Sequence, residues 1–113
     1  TENAYRHMGE LADRYTSGLR KEISRLGLDW SVIQSGSRIE YLYDDINPKN
    51  GSDVYNSFKD KELNDYSHLS LLNAGYLLAP FHNMALMCPA TTKEQVDGFL
   101  QAFRTSILRI IDV

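Results

Sequence analysis

With 113 residues, 42% of them hydrophobic and 24% charged, the chain can build one domain with a buried core, and two ordinary domains are excluded. The net charge of -3 comes with no stripe of lysine or arginine, which argues against nucleic-acid binding; no apolar run is long enough to span a bilayer. A single cysteine excludes an internal disulfide and suits a reducing, cytoplasmic setting.

The first residues carry acidic side chains where a secretory leader would have an apolar core. They also begin inside a helical pattern, so a fragment of a longer chain is expected. From Asn3 to Leu26, the residues Met8, Leu11, Tyr15, Leu19, Ile23 and Leu26 recur at steps of three and four, which places them on one helical face. Gly27 supplies a left-handed stop. Trp30 to Gln34 and Arg38 to Tyr43, rich in aromatic and β-branched residues and joined by Ser35-Gly36-Ser37, read as two antiparallel strands. Alternation puts Arg38, Glu40 and Leu42 on one face of the second strand, and Ile39, Tyr41 and Tyr43 on the core face.

The polar stretch from Asp44 to Asp60, with Pro48 and Asn50-Gly51 as turn formers, is long for a plain connection, and such loops often carry function. Glu62 to Ala74 reads as a second helix with Leu63, Tyr66, Leu69 and Leu72 on its apolar side. Asp60 is its candidate cap and Gly75 its stop. The next stretch, through Gln95, organises the rest. Extended pieces at Tyr76 to Leu78 and Ala85 to Cys88 flank a bend whose polar tips are His82 and Asn83. Thr91 with Glu94, and Thr92 with Gln95, both stand at capping-box spacing, and Val96, Phe99, Leu100, Phe103, Ile107 and Ile110 continue a third helix.

The predicted order is α-β-β-α-β-β-α, an α+β fold in which a small antiparallel sheet is covered on one face by three helices. The second sheet face, with Arg38, Glu40 and the His82-Asn83 turn, is expected to meet either solvent or a further domain, and the cut look of the chain favours the domain. Arg38 has the strongest claim to chemistry, because a guanidinium forks onto a carboxylate through two parallel hydrogen bonds. Glu40 shares its face and could steady Arg38 or compete for it; the plain alternative is an exposed ion pair of little worth. The histidines at 7, 68 and 82 lack metal-ligand spacing with Cys88. Cys88 reads as a small core residue rather than a nucleophile, and no glycine-rich phosphate loop is present.

Three segments, GLRKEISRLG, SRIEYLYDDINPKNGSD and LLNAGYLLAPFHNMALMCPATTKEQVDGFL, resemble in order the C-terminal small domain of class III, fold-type I pyridoxal-phosphate aminotransferases. The branch is that of glutamate-1-semialdehyde aminomutase and the β-amino-acid transaminases, and the resemblance covers nearly all of residues 1–113 as one such domain. It implies a parent enzyme that moves an amino group between an amino acid and a keto acid. Pyridoxal 5'-phosphate would be held by a large domain outside this chain, in a parent that is a homodimer. The chain alone would then bind no cofactor and catalyse no transamination.

By the same resemblance, Arg38 matches an arginine that receives the substrate carboxylate. Glu40, His82, Asn83 and Met84 would border the substrate, and Tyr41 and Tyr43 would be sheet core. The aminomutase has a glutamate at the position of Met84 and no arginine at that of Arg38, which favours a transaminase over a mutase. A non-enzymatic interaction domain is the reading from another class.

Overall fold

The computed structural model describes residues 1–44, 50, 52, 60–78 and 82–111. Helix α1 (Glu2–Arg25) starts at Thr1, whose hydroxyl accepts from the Ala4 amide. It ends at Gly27, held at φ 68. There the Gly27 amide reaches Ser24 O and the Leu28 amide reaches Ile23 O, the paired bonds that satisfy a helix's last carbonyls. Strands β1 (Ser31–Ser35) and β2 (Arg38–Leu42) form an antiparallel hairpin turning through Gly36 at φ 60. Helix α2 (Lys61–Asn73) is capped by the Asp60 carboxylate on the Leu63 amide at 3.0 Å. Strand β3 (Met84–Leu86) pairs antiparallel with β2, giving the sheet order β1-β2-β3.

Helix α3 (Lys93–Ile111) opens on a reciprocal box. The Thr92 amide donates to Gln95 Oε1 at 2.9 Å, and the Gln95 amide donates to Thr92 Oγ1 at 3.1 Å. Of the two spacings seen in the sequence, the Thr92 and Gln95 pair is the one the chain uses.

The register puts Val32, Ile39, Tyr41 and Ala85 on one sheet face, where α1 packs, while α3 packs on α1 and α2 packs on α3. Tyr15, Leu19, Ile39, Tyr41 and Phe103 lose essentially all exposure there. Burial of each such side chain stabilises by about 1.5–3 kcal/mol. Gly18 matters to this packing, because a Cβ at that position would collide with Leu100 Cδ1 of α3. The α+β class, the three helices and the helix-covered antiparallel sheet match the sequence expectation.

Four details differ. Tyr76 to Leu78 is not a strand, because the Tyr76 amide is committed to Leu71 O at 2.9 Å, where Gly75, at φ 98, closes α2. On α2 the inward stripe is Leu63, Ser67 and Leu71, while Leu69 and Leu72 are more than half exposed. Buried Ser67 bonds the Tyr41 hydroxyl at 2.8 Å, so a hydrogen bond chooses the face where hydrophobicity alone chose wrongly. Leu42, expected on the open sheet face, has no exposed area. Cys88 is exposed rather than core, held at the entrance to α3 with its Sγ 3.3 Å from Thr91 Oγ1. That hydroxyl, the first cause, together with the Ala90 and Thr91 backbone, holds the thiol below its usual pKa. Most of the segment from Asp44 to Asp60, with Pro80 and Phe81, lies outside the described residues.

Candidate functional site

Arg38 opens β2 on the sheet face away from α1. Its cross-strand neighbours there are Ser35 on β1 and Leu86 on β3. Glu40 follows on the same face between Ile33 and Met84. Openness runs in one direction along this face: Leu42 is closed, Glu40 is 6% exposed, and Arg38, Ser35 and Leu86 are exposed. Ile33, Ser35, Arg38, Glu40 and Met84 help line an open depression at this end, which Arg20 of α1 and Gln34 also border.

The two charged side chains do not pair. Among the described residues the Arg38 side chain makes no ion pair or hydrogen bond. Glu40 turns toward the bend instead, where its Oε2 accepts from the Asn83 amide at 3.2 Å and meets His82 Nδ1 at 3.2 Å. A nearly buried carboxylate would be costly without such partners. The backbone amide supplies a fixed donor whatever the state of the imidazole. An exposed guanidinium with its donors open, beside a carboxylate tied elsewhere, suits an incoming carboxylate.

Asn83 is placed differently from expectation. Rather than a polar tip, it is fully buried, and its side chain points to the helix-covered side. There its Oδ1 accepts from the Tyr43 hydroxyl at 3.3 Å and lies 3.0 Å from His68 Nε2, while its Nδ2 donates to Tyr41 O at 3.2 Å. Those bonds fix the amide's orientation, and with it the His68 tautomer: Nε2 carries the proton. The Tyr43 hydroxyl also donates to Asn64 of α2 at 3.1 Å. Burial pushes the Tyr43 phenol up to about 12, against the lowering effect of its hydrogen bonds to Asn83 and Ser67. Asn83 is therefore a structural tie between the bend and the helix-covered side.

His82 is half exposed beside Glu40, and Met84 is partly buried opposite it. The structure thus gathers Arg38, Glu40, His82 and Met84 on or beside one face and withdraws Asn83 to the other. From sequence, His68 is weighed only as a metal ligand and Asn64 not at all; their spacing of four and three on α2 with Leu71 is a signal visible only once Ser67 is known to face inward. Among the described residues no group of histidine, cysteine, aspartate and glutamate could hold a metal ion, and no helix is long and apolar enough to cross a membrane.

No protein-family model matches the sequence. Solved structures do. A glutamate-1-semialdehyde aminomutase from Pseudomonas aeruginosa PAO1 is similar over 97% of this chain at 41% identity and a TM-score of 0.91. A variant of that aminomutase in complex with PMP is similar at 42% identity and 0.88, over 95% of the chain. An omega-transaminase from Sphaerobacter thermophilus shares the fold at a TM-score of 0.78 and 16% identity. The chain spans only 24% of the first and third of these proteins and 23% of the second. The chain thus matches a fragment of the class III pyridoxal-phosphate aminotransferase fold.

Proposed function

We propose that residues 1–113 are the C-terminal small domain of a pyridoxal-phosphate-dependent aminotransferase, and that Arg38 receives the carboxylate of its amino acid or keto acid substrate. The observation that carries this reading is the exposed guanidinium, without an ion pair among the described residues, at the open end of a face on which the Glu40 carboxylate is turned to the His82 bend. The rest of the enzyme, absent from these 113 residues, would lie over that face. The parent is read as a cytoplasmic homodimer.

When bound, pyridoxal phosphate supplies the electron sink for amino transfer. The described residues do not fit that group by themselves. Its aldehyde needs a lysine amine in the site, whereas Lys21, Lys61 and Lys93 are exposed on helices and none lies on the Arg38 face. This chain's share is to bind and orient the acid and to wall off water with Met84, Ile33 and Leu86.

An aminomutase is the second reading, favoured by the 41% identity to the Pseudomonas aeruginosa aminomutase against 16% for the omega-transaminase. Nitrogen balance in the full-length enzyme separates the two. Transamination consumes an external keto acid mole for mole beyond the first equivalent per active site, and sustained turnover well past one equivalent with no acceptor present would overturn the transaminase reading in favour of the mutase.

A further inference from the structure

Glu40 sits beside the proposed acid-binding arginine without touching it. Two residues along a strand rise about 6.7 Å, close enough for a free carboxylate on Glu40 to swing onto Arg38 and occupy the fork a substrate would need. It is prevented from doing so. The Oε2 of Glu40 is held by the Asn83 amide and by His82 Nδ1, both at 3.2 Å. The apolar side chains of Ile33 and Met84 flank it across the two neighbouring strands. The bend that holds the carboxylate is itself held from the other side, through the Asn83 side chain on Tyr43, His68 and Tyr41 O.

We propose that Glu40 is a positioning residue for substrate-acid recognition. By latching onto the backbone of the 82–83 bend it keeps its own charge off Arg38 and fixes the neighbouring Met84 in the lining of the depression in which the acid sits. This rests on the reading of Arg38 as the carboxylate receptor and goes beyond it, assigning Glu40 no contact with substrate. The role belongs to an acceptor atom in one place, which a carboxamide oxygen can also supply. Glu40→Gln should therefore preserve the latch and Glu40→Ala should break it. Glu40→Asp, one methylene short, should fail to reach the Asn83 amide and stands in for the alanine variant if that is not recovered folded.

The test uses the full-length enzyme and two substrates, an amino acid and the amine that lacks its carboxylate. Backbone hydrogen exchange over residues 82–86 is read alongside the kinetics. The latch predicts that Glu40→Ala speeds exchange there and raises KM for the amino acid about tenfold, with kcat/KM for the amine within about twofold of the parent. Glu40→Gln should restore both readouts. Equal losses for the two substrates, unchanged exchange in Glu40→Ala, or a Glu40→Gln variant as impaired as Glu40→Ala would each overturn it. Arg38→Ala is measured in parallel. If that variant leaves acid-over-amine preference intact, the acid-binding reading fails by itself, and if it abolishes the preference while Glu40→Ala does not alter it, only the latch fails.

Discussion

Asn83 and Glu40 meet backbone to side chain across the β2–β3 pair, the Asn83 amide donating to Glu40 Oε2 at 3.2 Å. In the same residue the side chain turns the other way, to Tyr43 and His68 under the helices. One buried asparagine thus ties the open face of the sheet to α2. That double attachment gives a bend of irregular backbone a defined place next to Glu40.

Replacement of Asn83 by alanine takes the side-chain donor from the buried Tyr41 carbonyl and the acceptor from part-buried His68, while the Tyr43 hydroxyl keeps Asn64. Buried polar groups stripped of partners cost about 1–3 kcal/mol each, and partial relaxation brings the total here to about 3 kcal/mol. Thermal unfolding of Asn83→Ala beside the parent checks this. A shift in Tm no larger than that of an exposed Asn73→Ala control would show that the tie carries no weight.

Gly75 closes α2 at φ 98, with open space where a Cβ would stand. The obstacle to a side chain there is backbone conformation rather than crowding. Gly75→Ala should destabilise by about 1–2 kcal/mol, whereas Gly9→Ala, inside α1 with open space around it, should stabilise by up to about 1 kcal/mol. Denaturant midpoints of the two variants test the contrast, and similar shifts of the same sign would contradict it.

Three tyrosines make the fold sensitive to base. Burial raises the phenols of Tyr15 and Tyr41 well above their ordinary range, and that of Tyr43 to about 12. A folded-state value above the unfolded one means the stabilisation is complete below the ordinary phenol value of about 10 and is lost as pH rises through the folded values. Phenolate absorbance should therefore rise in two stages, the second coinciding with loss of helical circular dichroism. Ionisation of every tyrosine with the circular dichroism unchanged would contradict this.

The exposed bridge between α1 and α3 acts in the opposite direction. Arg14 Nε and Nη2 donate to the Asp97 carboxylate at 2.7 and 2.9 Å. That hydrogen bond, first among the causes, lowers the Asp97 pKa. A depressed carboxyl stabilises above the unfolded value of about 3.9, and the effect is lost as pH falls through the lower folded value. The Tm difference between the parent and Asp97→Asn should be small at neutral pH, as for any exposed pair, and should vanish in acid. A difference that persists or grows in acid would contradict the assignment.

Much of this architecture was legible beforehand, for identifiable reasons. The stripe from Leu11 to Ile23 has one period and no competitor, and Asp60, Gly27, Gly75 and the Thr92 box are local chemistry that fixes helix ends whatever the tertiary context. The α2 face was not legible, because apolar residues at 63, 66, 69, 71 and 72 allow more than one stripe and the deciding contact is a serine on a tyrosine from another element. Tyr76 fooled the strand pattern for a similar reason, its amide being needed to close a helix. At the site, strand alternation placed Arg38 and Glu40 on one face correctly. It could not reveal that Glu40 would answer to a backbone amide 43 positions away or that Asn83 would turn inward.

The central claim is that Arg38 stands free to take a substrate carboxylate. In the full-length enzyme, Arg38→Ala should lower kcat/KM for an amino acid by about a hundredfold, the worth of a charge-assisted two-point contact. For the matching amine, which has no carboxylate, it should leave kcat/KM within about threefold of the parent. Equal loss for both substrates, or no loss for either, would contradict the claim.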